Sequence, residues 1–529
     1  MPDLNEKVAS LFGSKTTPAE APAVPVAKNE AAPNPDDVEA LSSHTGLERT
    51  LTSRHLQFIA IGGTVGTGLF LGTGGALGSA GPAALLIAFA FVGAVVYSVM
   101  ISLSEMATYV PVAGAFTTYA TRFVDPSLGL AMGWVYWLSW SLTFALELNA
   151  AGLIIQYWNK SLSVAIFIAI FWAIFTVINF LPAKIFAEIE MYLASIKVIT
   201  IVGFVILSIC INAGVGDQGY LGFKYWHSPG AFKPDDIIVD SKPALGKFVS
   251  FWSVLVTAGF SFQGTELVGI AAGETLDPRK TIPSAIRWTF WGIFCLFIST
   301  VFFLGINIPF NEPQLMSNAQ DASASPLVIV VRLAGIPVLP DIINAVLLTA
   351  VLSAANSNVY SSSRILVSLA DGGHAPKFFK RTNKWGIPYY AVGVCSAVGL
   401  LAFMNLGAGG AVVFDWFLAI VTVAGLICWA LTNIAHLRFM EALKYKGISR
   451  DDLPYKAPFQ PYFSWFGLFF SSLIALTSGF KVFIKWETSA FFTNYISIII
   501  FVVLYGGAKL WTRSKVVPLE EVDLSHNEK

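Results

Sequence analysis

Charge is what this sequence has least of. Only 12% of its 529 residues are charged, against 55% hydrophobic, and the mean hydropathy is +0.66. A water-soluble chain carries charge at about 25%, so that class is excluded. Basic and acidic residues balance at 33 each, which leaves no surplus of one sign for nucleic acid. Cysteine is scarce as well. Cys210, Cys295, Cys395 and Cys428 each sit in an apolar run and read as small buried hydrophobes. No Cys/His group has ligand spacing, so neither a metal nor a cofactor is expected. An enzyme is not expected either, because no nucleophile–base constellation stands out. A channel is disfavoured because no selectivity-filter pattern appears.

What the chain does have is long apolar stretches. Residues 1–54 come first, a Pro/Ala-rich polar segment read as a disordered cytoplasmic tail with no cleavable signal peptide. Its Lys7, Lys15 and Lys28 are candidate attachment points for the ubiquitin machinery. Twelve bilayer-length stretches follow: 56–75, 83–103, 128–157, 163–181, 191–213, 248–272, 287–309, 339–369, 389–405, 412–435, 464–485 and 491–511. The expected fold is an all-α integral membrane protein of twelve transmembrane helices. Lys and Arg concentrate in the loops that become internal when the N-terminus is cytoplasmic, among them Arg279, Lys280, Arg287, Arg438 and Arg450. Both termini are therefore expected inside.

Two stretches carry interruptions. Gly62-Gly63-Thr64-Val65-Gly66-Thr67-Gly68 breaks the first, and Gly259-Phe260-Ser261-Phe262-Gln263-Gly264-Thr265-Glu266 breaks the sixth. Glycine weakens a helix interior by roughly 1 kcal/mol relative to alanine. Opened backbone at bilayer depth survives only where it is buried in protein or lines a cavity. Close helix packing is the competing explanation of such small residues. Interruptions at matching places in two halves point instead to an inverted-repeat carrier with a midplane site. Spans 1–5 and 6–10 would be the repeats and spans 11 and 12 accessory. The domains then divide as residues 1–54 (tail), 55–436 (transport core), 437–511 (loop and accessory spans) and 512–529 (C-terminal tail).

Two of the charges that lie within spans stand out. A carboxylate at the centre of a bilayer costs at least roughly 2.5–3.5 kcal/mol on insertion scales, so Glu147 should face a cavity and a partner. Thr143 shares its helical face. Lys197 lies in span 5, where it either snorkels to the interface or sits buried.

GGTVGTGLFLG, SLSEMATYVPVAGAFTTYATRFVDPSLGLAMGW, SFQGTELVGIAAGETLDPRKTIPSAI and SAANSNVYSSSRIL resemble the fungal amino acid permeases of the amino acid–polyamine–organocation superfamily. The segments TFALEL, FQGTELVGI and RFMEALKYKGISRDDLPYKA are most similar to the basic (arginine/lysine) permeases of that family. The resemblance implies proton-coupled uptake of an L-amino acid across the plasma membrane by alternating access. Its α-carboxylate would meet the amides of Gly63, Thr64, Gly66, Thr67 and Gly68, and its α-ammonium the carbonyls near Phe260, Ser261 and Phe262. Phe260 and Phe262 would act as apolar gates, with packing against lipid or in the core as the alternative. Thr143 and Glu147 would meet a cationic side chain, and Lys197 would carry the proton. Glu105 and Glu266 are gate candidates, with an interfacial ion pair or cap as the simpler role. Asn356 and Asn358 are further candidates to line the site or to bond across helices. Val421-Thr422 departs from the basic-permease pattern, so a broad-range, neutral or proline permease is the alternative. A non-transporting sensor on the same fold is the more distant one.

Overall fold

The computed structural model describes residues 51–111, 115–159, 161–235, 242–270, 275, 278–316, 325–408 and 410–524. The tail lysines Lys7, Lys15 and Lys28 lie outside the described residues. Among the described residues every regular element is helical, and the one β-type pairing is an isolated bridge between Leu51 and Thr275.

In chain order the main helices are α1 (Ser53–Thr64), α2 (Thr73–Ala80), α3 (Pro82–Tyr109), α4 (Pro126–Ile155), α5 (Val164–Asn179), α6 (Ala183–Asn212) and α7 (Pro243–Phe262). They continue as α8 (Leu267–Ile270), α9 (Pro278–Asn307), α10 (Leu339–Asp371), α11 (Tyr389–Gly399), α12 (Gly410–Tyr445), α13 (Tyr462–Thr477) and α14 (Thr488–Thr512). Among the described residues nine helical segments are long and apolar enough to cross a membrane. Taken with α2 and α8 respectively, α1 and α7 are two of them. Three shorter apolar helices, Val164–Asn179, Tyr389–Met404 and Tyr462–Thr477, fall on the remaining expected stretches. At 16 residues, α5 measures only about 24 Å against a hydrocarbon core of about 30 Å.

Local chemistry sets the helix starts. Thr52 caps α1 in a reciprocal box with His55. Asp125 caps α4 by accepting from the Ser127 N–H at 2.9 Å, and Pro126 occupies the first turn. The core is apolar, as in a soluble protein, but the outer surface is apolar too, and some polar side chains are buried. Ile166, Ile170, Ile174 and Val177 form an exposed apolar stripe along α5, suited to lipid. Asn149, Asn356, Asn358 and Asn433 are fully buried.

Two departures from expectation matter. Helix α6 starts at Ala183, not near residue 191, with Pro182 at its N-cap. Glu188 and Glu190 disguise its first turns as loop, yet Glu190 is fully buried. The C-terminal segment also docks on the helices after α14 ends. Val517 N–H donates to Val124 O at 2.9 Å. Arg438 Nη2 donates to Val517 O at 2.6 Å, and Lys446 Nζ to Val522 O at 2.5 Å.

Candidate substrate chamber

Both expected interruptions are present. Helix α1 stops at Thr64; Val65 leaves helical geometry (φ −82°, ψ 88°), and the chain resumes as a π-helical turn, Gly68–Gly72, before α2. Helix α7 stops at Phe262, where Gln263 is extended (φ −61°, ψ 137°). Gly264 takes φ +105°, a conformation open to glycine and strained for other residues. Some of the backbone at the breaks is satisfied by the protein itself. Ser325 donates to Phe70 O at 2.9 Å, and Glu266 accepts from the Gly264 N–H at 3.1 Å.

The interruptions face each other at close range. A Cβ on Gly68 would stand 2.7 Å from Ser261 Cα, and one on Gly264 would stand 2.8 Å from Thr64 Oγ1. Glycine is required here by the approach of two backbones, so the packing explanation and the open-backbone explanation describe one feature.

Between the breaks lies a chamber lined by Gly63, Thr64, Gly66, Thr67, Gly68, Tyr136, Ser139, Trp140, Thr143, Glu147, Phe260, Gln263 and Glu266. Its free volume is about 20 Å³, room for little more than one water. A solute of several heavy atoms would fit only if the walls moved apart.

Eight of the site residues expected from sequence line this chamber together. Those are the five of α1 and its break, with Thr143, Glu147 and Phe260; the gate candidate Glu266 joins them. Glu147 is 3% exposed. Its Oε1 accepts from Thr67 Oγ1 at 3.0 Å, while its Oε2 is buried with no hydrogen-bond partner. Thr143 donates back to Ser139 O at 2.8 Å, so its remaining capacity in the chamber is that of an acceptor. Glu266 accepts from Tyr136 OH at 3.0 Å and from Thr265 Oγ1 at 3.3 Å, which ties the opened α7–α8 junction to α4.

Others fall elsewhere. Phe262 turns away from the chamber and packs on Phe297 and Phe89, with ring centroids at 5.0 and 6.0 Å; in this arrangement it is core rather than gate. Ser261 presses on Gly68 and donates to Thr257 O at 2.9 Å. Lys197 does not snorkel. It is fully buried, and Nζ donates to Gly62 O at 2.5 Å, at the base of the α1 break. Glu105 lies outside the chamber lining. Its carboxylate takes Arg450 in two bonds of 2.7 Å and the Ala457 N–H at 2.8 Å, and His436 Nε2 stands 3.4 Å away without a hydrogen bond. The simpler role, an interfacial ion pair, describes that geometry. Asn356 donates to Glu190 Oε2 at 3.3 Å, helping to hold that carboxylate. Asn358 has no hydrogen-bond partner for its buried side-chain amide.

Sequence reasoning passed over Tyr136, Ser139, Trp140 and Gln263. Extending the Thr143/Glu147 face of α4 backwards by the helical repeat reaches Ser139 and Tyr136. Gln263 gives no such signal. It reaches the chamber because Nε2 donates to Thr422 O at 3.0 Å and Val421 O at 3.3 Å across the bundle. Val421 itself is buried against the cluster that holds Phe260.

A polar chamber closed inside apolar membrane helices, with two broken helices meeting at its centre, is the layout of a membrane carrier for a small solute. The sequence profile of the amino acid permeases matches residues 55–520. The chain is 43% identical over 500 residues to the lysine-specific permease of Saccharomyces cerevisiae, covering 94% of this chain and 82% of that one. It is 44% identical to the basic amino-acid permease of the same yeast, covering 90% and 84% of the two chains. It is 45% identical to a probable lysine/arginine permease of Candida albicans, covering 89% and 82%. The chain belongs to the amino acid permease family.

Proposed function

We propose that this permease takes up cationic L-amino acids, lysine or arginine, across the plasma membrane in symport with protons. One observation carries the reading: the lone buried oxygen of Glu147, Oε2, in the chamber wall. A carboxylate kept in an apolar bundle without a partner costs several kcal/mol. An ammonium or guanidinium entering the chamber removes that cost and supplies the missing donors. The names of these three relatives agree with it.

The rest of the substrate has matching groups. Its α-carboxylate sits on the amides of the α1 break between Gly63 and Gly68, at the positive end of the π-turn and α2. Its α-ammonium meets backbone carbonyls of the α7 break near Phe260, and Thr143 offers a further acceptor. Phe260 covers the chamber as an apolar gate. The twelve helical segments form two inverted five-helix repeats and two accessory helices, with both termini cytoplasmic. Alternating access moves α1–α3 and α7–α9 against the rest. Lys197 carries the coupled proton. The membrane potential contributes about 2.3 kcal/mol per charge per 100 mV, so a cation entering with a proton is strongly driven inward.

The test is labelled lysine uptake in permease-deficient yeast expressing this chain, with arginine, proline, glutamate and neutral amino acids as competitors. Arginine should compete and proline should not. Equal competition by neutral amino acids would assign the chain to the broad-range class. Absence of uptake from cells with the chain at their surface would favour a sensor.

A further inference from the structure

Helix α9 carries its charge at the unfavourable end. Arg279 and Lys280 stand in its first turn, where the peptide dipoles already present positive potential and disfavour cations. Arg287 follows two turns on. Lys280, Ser284, Arg287 and Trp291 recur at the helical repeat and share one face. Arg279, Lys280, Ser284, Arg287 and Trp288 line a groove of about 570 Å³, together with Tyr455 of the loop after α12. That volume falls within the range of small-ligand pockets, about 300–1,000 Å³.

None of the side chains lining the groove is acidic. The described carboxylates nearby are engaged or turned outward. Glu105, close enough to act on the Tyr455 phenol, is held by Arg450 in two bonds of 2.7 Å. Asp451 pairs with Lys456 at 2.5 Å, and Asp452 is exposed in the same turn. Glu274 and Asp277 lie outside the described residues. Lys280 has a contact of its own. Among the described residues no ion pair takes up Arg279 or Arg287.

The groove also sits at a particular depth. At 30 residues, α9 is about 45 Å long against a hydrocarbon core of about 30 Å, so its end turns reach the headgroups. Trp288 and Trp291 are 68% and 48% exposed, and tryptophan on a lipid-facing surface concentrates at the interface. Arg287 lies about 12 Å along the axis from Arg279, and its long side chain reaches back toward the same level.

We propose that this groove binds the headgroup of an anionic phospholipid from the leaflet it faces. Arg279 and Arg287 donate to the phosphate with planar guanidinium groups suited to it, and Lys280 adds positive charge. A soluble phosphate ester would use the cations alone. The exposed tryptophans on the deeper turns match the glycerol and acyl portion of a lipid, and basic clusters at the ends of membrane helices attract anionic lipid. The bound lipid bridges α9 and the loop that carries Arg450. This assignment stands apart from the reading of Glu147.

The test is native mass spectrometry of the full-length protein, released from detergent after incubation with equal amounts of phosphatidylserine and phosphatidylcholine of the same acyl chains. The wild type should retain phosphatidylserine over phosphatidylcholine at least fivefold. Arg279→Gln with Arg287→Gln should cut that preference at least threefold. Arg381→Gln with Lys384→Gln, an equal loss of exposed charge in the loop before α11, should change it less than twofold. Equal losses in the two double variants would show attraction by net charge and overturn the site, as would a wild type without preference. Displacement of phosphatidylserine by millimolar glycerol 3-phosphate would assign the groove to a soluble phosphate ester and overturn the lipid assignment. If the Arg279/Arg287 variant does not fold, Ser284→Glu decides, because Ser284 is exposed and its replacement sets a carboxylate in the groove. A preference lowered at least threefold supports the proposal, and an unchanged one overturns it.

Discussion

Thr67 donates its hydroxyl to Glu147 Oε1 at 3.0 Å, so the broken first helix holds one oxygen of the buried carboxylate and leaves the other to the chamber. Glu147→Gln removes the charge and keeps the shape. A hydrogen bond to a charged group is worth about 1.5–3 kcal/mol, so the KM for lysine should rise roughly ten- to hundredfold by the conversion of about 1.4 kcal/mol per decade. Competition by a neutral amino acid should change less than threefold. Thr67→Val should produce a smaller rise in the same direction. Concentration-dependent uptake of labelled lysine measures both.

The contact of Gly68 with Ser261 makes a sharper mutational prediction. Gly68→Ala places a methyl 2.7 Å from Ser261 Cα, a backbone atom that cannot swing aside, and overpacking of that kind costs about 1–3 kcal/mol. Uptake should fall at least tenfold while the protein still reaches the membrane. Gly75, on α2, has open space around its Cα, so Gly75→Ala should leave uptake within twofold of wild type. Surface labelling beside uptake separates transport loss from misfolding.

Glu105 and Arg450 join the end of α3 to the loop after α12. Removing one member of a buried, hydrogen-bonded ion pair typically costs about 3–5 kcal/mol, because the other is left uncompensated. Arg450 is 21% exposed on its side chain, which puts the expected loss at or below the low end of that range. Arg450→Met should lower the midpoint of thermal unfolding in detergent. Adding Glu105→Gln should recover part of the loss.

The C-terminal segment braces the bundle. Val522 and Leu524 are buried, and the backbone carbonyls of Val517 and Val522 accept from Arg438 of α12 and from Lys446 just after it. Deleting residues 514–529 uncovers that apolar surface and removes one acceptor from each basic group, Arg438 keeping Glu441 at 3.0 Å. The truncated protein should unfold at a lower temperature than the full chain in a fluorescence melt, with its KM for lysine unchanged.

Burial pushes the His374 imidazole, in the turn after α10, below the ordinary histidine range. The folded state then binds fewer protons than the unfolded chain between the folded value and about 6.5. Stability should therefore fall as pH drops below about 6.5 and level off only below the folded value. His374→Gln should flatten that part of the thermal-midpoint profile between pH 7 and pH 5.

Much of the chamber could be read from residue order because it is made of local peculiarities. Glycines inside an apolar run, and one carboxylate where charge is otherwise missing, are visible without coordinates. Glu147 is conspicuous because its neighbours Leu146 and Leu148 are not polar. Glu190 is hidden by Glu188 and Lys184, which make the start of α6 resemble a loop. Phe260 and Phe262 look alike in sequence. Two residues apart on α7, they point about 200° from each other, and the packing of the bundle turns Phe260 to the chamber and Phe262 against Phe297.

Hydropathy and spacing by themselves determined the helical membrane character, the apolar stretches, both helix breaks and the carboxylate that marks the chamber, since each follows from interactions within a turn or two of chain. Which groups face one another was decided only by the tertiary structure. The pairing of Glu105 with Arg450, the convergence of Glu190 and Lys197 on Gly62, and the docking of the C-terminus all join residues far apart in the chain. Their partners are chosen by how the helices pack, and no local pattern encodes that choice.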